Sequence, residues 1–269
     1  MTHTLRIYLR LLRVQFRSQL QYRASFVFLL FGTGLTASLE FASLALVLQR
    51  FDTIRGWTVA EVAFLYGLVE IAFGLMDMVF SGFDPQRFGL EVRKGTFDQI
   101  LLRPISPTVQ VLGSDLALRR IGRILTGAAI FAFAISRVSI AWTPVKLVLV
   151  PVMVVSMVLF FGGLFMIGAT IAFWTVESIE VMNIVTYGGA YVISHPMHIY
   201  QRWLRGFFTY ILPAIFLNYY PALFILGKTD PLGVPAWGPY AAPLVGVGVL
   251  LAALWFWRFG IRNYQSTGT

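Results

Sequence analysis

Cysteine is absent from the 269 residues, which excludes disulfides, thiolate metal sites and cysteine nucleophiles. Charge is scarce as well. Asp, Glu, Lys and Arg make up 12% of the chain, against about 25% in an ordinary soluble domain. Catalytic signatures are missing: there is no Gly-x-Ser-x-Gly, no His-Glu-x-x-His and no acid/base pair suited to catalysis. What fills the chain instead is apolar, 58% hydrophobic and 16% aromatic residues with a mean hydropathy of +0.75. A water-soluble globule is thereby excluded. Residues 147–176 form a run of 30, and residues 231–257 a run of 27, without Asp, Glu, Lys or Arg; about 20 apolar residues suffice to cross a bilayer. Against that background the 21 basic and 12 acidic residues, net charge +9, read as charge that orients membrane helices rather than as a nucleic-acid surface.

Arg6, Arg10, Arg13, Arg17 and Arg23 precede the first long apolar run, from Ala24 to about Leu48. That run exceeds the 7–15-residue core of a signal peptide and lacks a cleavage site, so it reads as a retained first span. Further spans are expected at about 59–82, 119–141, 146–174, 179–200 and 239–259, giving an all-α polytopic membrane protein with six transmembrane helices in one domain, 1–269. Residues 206–227 form another charge-free stretch of 22. Lys and Arg placement decides how to treat it, because positive residues in short loops stay on the cytoplasmic side. Six spans with both termini inside put 14 basic residues inside and seven outside, whereas a seventh span would move Arg258 and Arg262 out. Pro213 and Pro221 also interrupt the stretch. Residues 201–227 are therefore expected as re-entrant or external helices before the last span.

At 100° per residue, Arg6, Arg10, Arg13 and Arg17 share one face, beside an apolar stripe of Leu5, Leu9, Leu12, Phe16 and Leu20. Residues 1–23 thus read as an amphipathic interfacial helix, held by anionic lipid or also touching a cytoplasmic partner. The longest cytoplasmic segment, 84–115, contains Gly95-Thr96-Phe97-Asp98-Gln99-Ile100-Leu101-Leu102-Arg103-Pro104. Gly95 breaks the chain, Thr96 and Gln99 have capping-box spacing, Asp98 suits a helix N-terminus, and Pro104 ends the helix. Phe97, Ile100 and Leu101 fall on one face of this short helix. They either pack on the N-terminal helix or dock into a separate cytoplasmic protein.

In the second span, Gly67, Glu70, Gly74 and Asp77 occupy one arc, and Glu40 lies midway along the first. Such carboxylates line a polar pathway or a dimer face, or are buried against arginine with the glycines allowing close helix packing. Tyr187 in the fifth span lines a cavity or packs. Glu177 and Glu180, in the turn before that span, are expected to pair with Arg13, Arg17 or Arg93. His195 and His198 lack a third ligand, so no metal site is expected.

The basic N-terminal helix, the six spans, the Gly-x-Phe-Asp-x-x-Leu-Leu-Arg-Pro element after the second span and the Pro-punctuated stretch from His195-Pro196 to Asn218-Tyr219-Tyr220-Pro221 resemble bacterial ABC transporter permeases of the type-2, exporter-like family. The resemblance implies that Thr96, Phe97, Asp98, Ile100, Leu101 and Arg103 form a coupling helix seated on an ATPase subunit. It also implies a second permease copy or a homologous permease, and the bacterial inner membrane as location. The permease itself is then not an enzyme and holds no cofactor, ATP and Mg being bound by the ATPase. Within this chain the nearest approach to a phosphate-binding Gly-x-x-x-x-Gly-Lys-Ser/Thr is Ala222 to Thr229, which lacks the first glycine and a preceding strand. The function expected is export of an amphipathic or lipid-like small molecule, such as a drug or antibiotic, by alternating access. Two alternatives stand beside it: a proton-coupled secondary transporter using Glu70 and Asp77, and a lipid-modifying membrane enzyme with His195 or His198 as base.

Overall fold

A computed structural model describes residues 2–266 except 51, 52, 54, 176–179, 231, 232 and 234. The described residues are helical, with no strand among them. Helix α1 (Thr2–Gln21) is followed after one residue by α2 (Arg23–Arg50), then α3 (Val59–Phe80). A single 3-10 turn leads to α4 (Pro85–Arg93), α5 (Thr96–Leu101) and α6 (Pro107–Leu112), which lie between α3 and α7 (Ile121–Arg137). Helix α8 (Pro144–Thr175), the short α9 (Glu180–Asn183) and α10 (Gly189–Ile193), α11 (Arg202–Gly206), α12 (Tyr219–Leu226) and α13 (Ala242–Asn263) complete the chain.

The chain is a polytopic helical membrane protein. Helices α2, α3 (continued by α4), α8 and α13 are each long and apolar enough to cross a bilayer. The expected third span is a helix of only 17 residues, about 25 Å at 1.5 Å per residue. Of the expected fifth span, 179–200, residues 180–193 form one continuous helical run. A π-helical turn at Ile184–Gly188 separates α9 from α10, which ends at Ile193.

Two helix pairs, α3 with α7 running antiparallel and α8 with α13 running parallel, make the body, joined where α3 meets α8. Small residues set the first pairing. A Cβ on Gly127 would lie 2.7 Å from Glu70 Cβ, and one on Gly67 2.8 Å from the Phe131 nitrogen. The glycines that share an arc with the carboxylates are thus the surface on which α7 lies. Gly127→Leu is expected to force α3 and α7 apart, costing about 1–3 kcal/mol or more, read as a lowered thermal midpoint of the purified protein.

The two ends of the bundle differ. At one end Gln15 Nε2 donates to Ser114 O at 2.6 Å, Gln19 to Leu116 O, and Ser266 Oγ to Asp98 Oδ2 at 2.6 Å, so α1, the α4–α6 segment and the C-terminal residues gather there. At the other end, around the start of α3, Arg55 Nη1 donates to His198 O at 2.7 Å and Lys228 Nζ lies 2.7 Å from Glu61 Oε1. Residues 198 and 228 therefore both sit beside the start of α3. The intervening stretch leaves and returns at that end, with its two helical legs, Arg202–Ile211 and Ala214–Leu226, bent 81° apart. Its tip is pinned by Asn218, whose Nδ2 donates to Leu65 O and Ile193 O at 3.2 and 2.9 Å.

Candidate functional site: an inner platform and a polar seam

The inner platform is built on aromatic packing. Helix α8 has 32 residues, about 48 Å of helix, more than the roughly 30 Å hydrocarbon core needs. Its last turns and those of α13 carry Phe173 and Trp257 at one end of the bundle. Phe88 of α4 and Phe97 of α5 pack into them, with Phe97 centroids 5.3 Å from Phe88, 5.0 Å from Phe173, 6.0 Å from Trp257 and 5.2 Å from Tyr264. Phe97 is fully buried. The expectation that Phe97 faces a partner is therefore corrected: its ring points into the protein's own body, not to the N-terminal helix and not outward. Ile100 is half-buried against the same core. Projecting from α5 and the turn after it are Thr96, Gln99, Leu101, Leu102 and Arg103, with Leu102 85% exposed.

The cap of α5 also differs from expectation. Gly95 is the N-cap residue, at φ 67°, a left-handed conformation that glycine adopts without strain and that turns α4 into α5. Thr96 Oγ1 donates back to Glu91 O at 2.9 Å, closing the end of α4 instead of forming a capping box. Gln110, to which nothing in the sequence pattern drew attention, bonds the carbonyls of Ile100 and Ile105, both at 2.9 Å, and so ties α6 to the end of α5. Asp98 is half-buried beside Ser266 and Tyr264. Burial, with the Asp98 charge nearby, pushes the Tyr264 phenol up to about 12, so it stays protonated at neutral pH.

The polar seam lies between α2, α3 and α7. Arg123 grips Glu70 through two hydrogen bonds, Nε to Oε2 at 2.6 Å and Nη2 to Oε1 at 2.7 Å, and its guanidinium stands 4.8 Å over the Phe73 ring. One turn further in, Arg120 Nε approaches Asp77 Oδ2 to 2.6 Å, at an angle that leaves both atoms without a hydrogen bond. Both carboxylates are buried. Of the two readings of Glu70 and Asp77, the structure places them against arginine within one chain, on the face that α7 covers. Arg120 and Arg123, at the start of α7, are thus paired within the bundle and are not free loop charges. Glu40 is exposed on α2, and the Tyr66 hydroxyl donates to its Oε2 at 3.3 Å. Tyr187 is packed between Phe73 and Phe165, centroids 5.2 and 5.9 Å away.

Glu177 lies outside the described residues. Glu180 accepts a hydrogen bond from Asn183 Nδ2 at 3.1 Å, and among the described residues no arginine comes within ion-pair distance of it. The expected pairing of Glu180 with Arg13, Arg17 or Arg93 is therefore not formed, and those three side chains are exposed. In their place Arg87 of α4 pairs with Asp115 and Glu91, which locks the α4–α6 segment to itself.

At the end of the bundle near the start of α3, buried Arg205 pairs with Asp230 beside a cleft of about 770 Å³ whose walls include Arg202, Tyr210, Phe216 and Trp237. His198 bonds Tyr219 Oη at 3.1 Å while His195 bonds Tyr191 O at 2.9 Å, so the two histidines turn to different partners. The described residues contain no cluster that could hold a metal ion. The stretch ending Gly227-Lys228-Thr229 is the end of α12, with Gly227 at φ 67° and Lys228 paired to Glu61. It is a helix terminus and not a phosphate loop.

A helical membrane body, a short helix presented at one end on an aromatic bed, and paired charges inside the bundle define a membrane transport component. The model of the ABC-2 family transporter proteins matches residues 35–268, and the chain belongs to that family. It is a permease component of an ABC transporter, and the family implies partnership with an ABC ATPase subunit. No curated protein and no solved structure matches the chain.

Proposed function

We propose that the chain is the permease of an ATP-driven exporter in the bacterial inner membrane, assembled with a second copy or a homologous permease and two ATPase subunits. Residues 2–23 lie at the cytoplasmic surface, the α4–α6 segment is the cytoplasmic coupling region, and 201–227 caps the outer side. ATP and Mg are bound by the ATPase, and the permease transmits the conformational change without hydrolysing anything. ATP shifts the permease between inward- and outward-open packings because it binds one state of the ATPase pair more tightly.

The observation that carries this reading is the seating of α5. A six-residue helix is too short to be stable alone. Here Phe97 fixes it to the ends of α8 and α13, while Leu102 and Arg103 project at its end. A push on that projecting end passes into two membrane helices through one buried ring. The cargo that suits apolar, weakly charged walls is an amphipathic small molecule of the drug or antibiotic type. Leu102→Glu combined with Arg103→Glu is expected to lower co-purification of the ATPase by about tenfold or more, as for loss of interface contacts worth over 1.4 kcal/mol, with membrane insertion unchanged. Undiminished co-purification would place the contact elsewhere.

A further inference from the structure

The polar seam encloses a small open slot of about 140 Å³, lined by Thr33, Thr36, Ala37 and Glu40 of α2, Glu70 of α3, and Arg120 and Arg123 at the start of α7. Its charged lining is two carboxylates, Glu40 and Glu70, and two guanidinium groups, Arg120 and Arg123. Arg123 is neutralised by Glu70 and Arg120 by Asp77, which leaves Glu40. The Tyr66 hydroxyl that reaches Glu40 at 3.3 Å also lies 3.1 Å from Ala37 O, and one proton cannot serve both fully. Among the described residues no Lys, Arg or His nitrogen comes within ion-pair distance of Glu40. A carboxylate at this depth is costly unless something cationic or aqueous meets it.

We propose that this slot is a subsite for the cationic head of an amphipathic ligand, a primary ammonium or guanidinium held by the Glu40 carboxylate. The inference rests on the permease reading and adds a charge preference to it. The hydroxyls of Thr33 and Thr36 donate to backbone carbonyls, Thr33 to Arg119 O at 2.7 Å and Thr36 to Gly32 O at 3.0 Å. Their lone pairs remain to accept from an N–H donor. The slot is too small for a whole drug-sized molecule, which needs about 300–1,000 Å³, so only the head enters. A second copy that meets this face through its own α2 brings no cation to that depth. The basic residues of α2 are at its ends, Arg23 and Arg50, about 25 and 15 Å along the helix from Glu40, and Arg120 and Arg123 are already paired.

The test uses the full-length permease, with its ATPase, in lipid nanodiscs, and measures binding of radiolabelled dodecylammonium beside uncharged dodecanol. Glu40→Gln is expected to weaken dodecylammonium binding by about tenfold or more, as for loss of a hydrogen bond to a charged group, and to leave dodecanol binding unchanged. Glu40→Asp retains part of the affinity, and Thr36→Val gives a smaller loss of the same selectivity. Equal dodecylammonium binding by wild type and Glu40→Gln overturns the proposal, as does separation of the permease pair in Glu40→Gln, which would assign the carboxylate to a partner's cation. Should Glu40→Gln fail to insert, the Thr36→Val comparison decides, and an unchanged ammonium preference there overturns the proposal. An ammonium-selective slot in a protein that binds no ATPase would instead sink the permease-coupling reading and leave the site standing.

Discussion

Replacing Glu70 by alanine is expected to destabilise the protein by about 3–5 kcal/mol, because the Arg123 charge is left in the bundle without its partner. Both hydrogen bonds of Arg123 go to this one carboxylate, which is 3% exposed. Arg123→Ala has the same sign for the converse reason. The double replacement Glu70→Leu with Arg123→Leu removes both charges together, so it is expected to be far milder than the sum of the single changes. Thermal or denaturant unfolding of the wild type, Glu70→Leu, Arg123→Leu and the double variant, read as a double-mutant cycle, yields the coupling. Additive single effects would mean that the pair is not a unit. Asp77 and Arg120 follow the same logic with a smaller coupling, since their contact lacks a hydrogen bond.

The second large effect is at Phe97. Truncation to alanine removes a fully buried ring in contact with four aromatic neighbours, a loss of about 3–5 kcal/mol for a phenylalanine in a packed core. Because the ring is the main apolar attachment of α5, the cost falls on that helix rather than on the whole bundle. Phe97→Ala is expected to insert and bind its ATPase, yet to lose drug-stimulated ATP hydrolysis and to become sensitive to protease between residues 93 and 104. Phe97→Leu, which keeps most of the buried volume, is expected to retain coupling. Normal stimulation in Phe97→Ala would show that force reaches α8 and α13 by another route.

Much of this was legible in the sequence because the governing signals are local. The charge-free runs located α8 and α13, and Gly95 with Pro104 bounded α5 to within a residue or two of its observed ends. What stayed hidden depends on pairs distant in sequence. No periodicity within the Phe97 helix shows that its ring meets Phe173, Trp257 and Tyr264, so an apolar face looked available to a partner. Arg120 and Arg123 resembled loop charges because they follow a polar segment, and only the neighbouring carboxylates on α3 draw them into the seam. The π-helical turn of the fifth expected span is a similar case. Residues 184–188 contain no proline, and their π-helical turn accompanies the packing of Tyr187 between α3 and α8. Arg205 with Asp230, and Lys228 with Glu61, join outer residues that a hydropathy profile treats separately.

The most direct test of the central claim uses the absence of native cysteine. A single Leu102→Cys replacement puts a thiol on the exposed end of the α5 turn. With a membrane-impermeant maleimide, the account predicts no labelling in intact cells, full labelling in inverted membrane vesicles, and protection when the ATPase subunit is bound. Labelling from outside intact cells would contradict it, because the aromatic platform would then face away from any source of ATP.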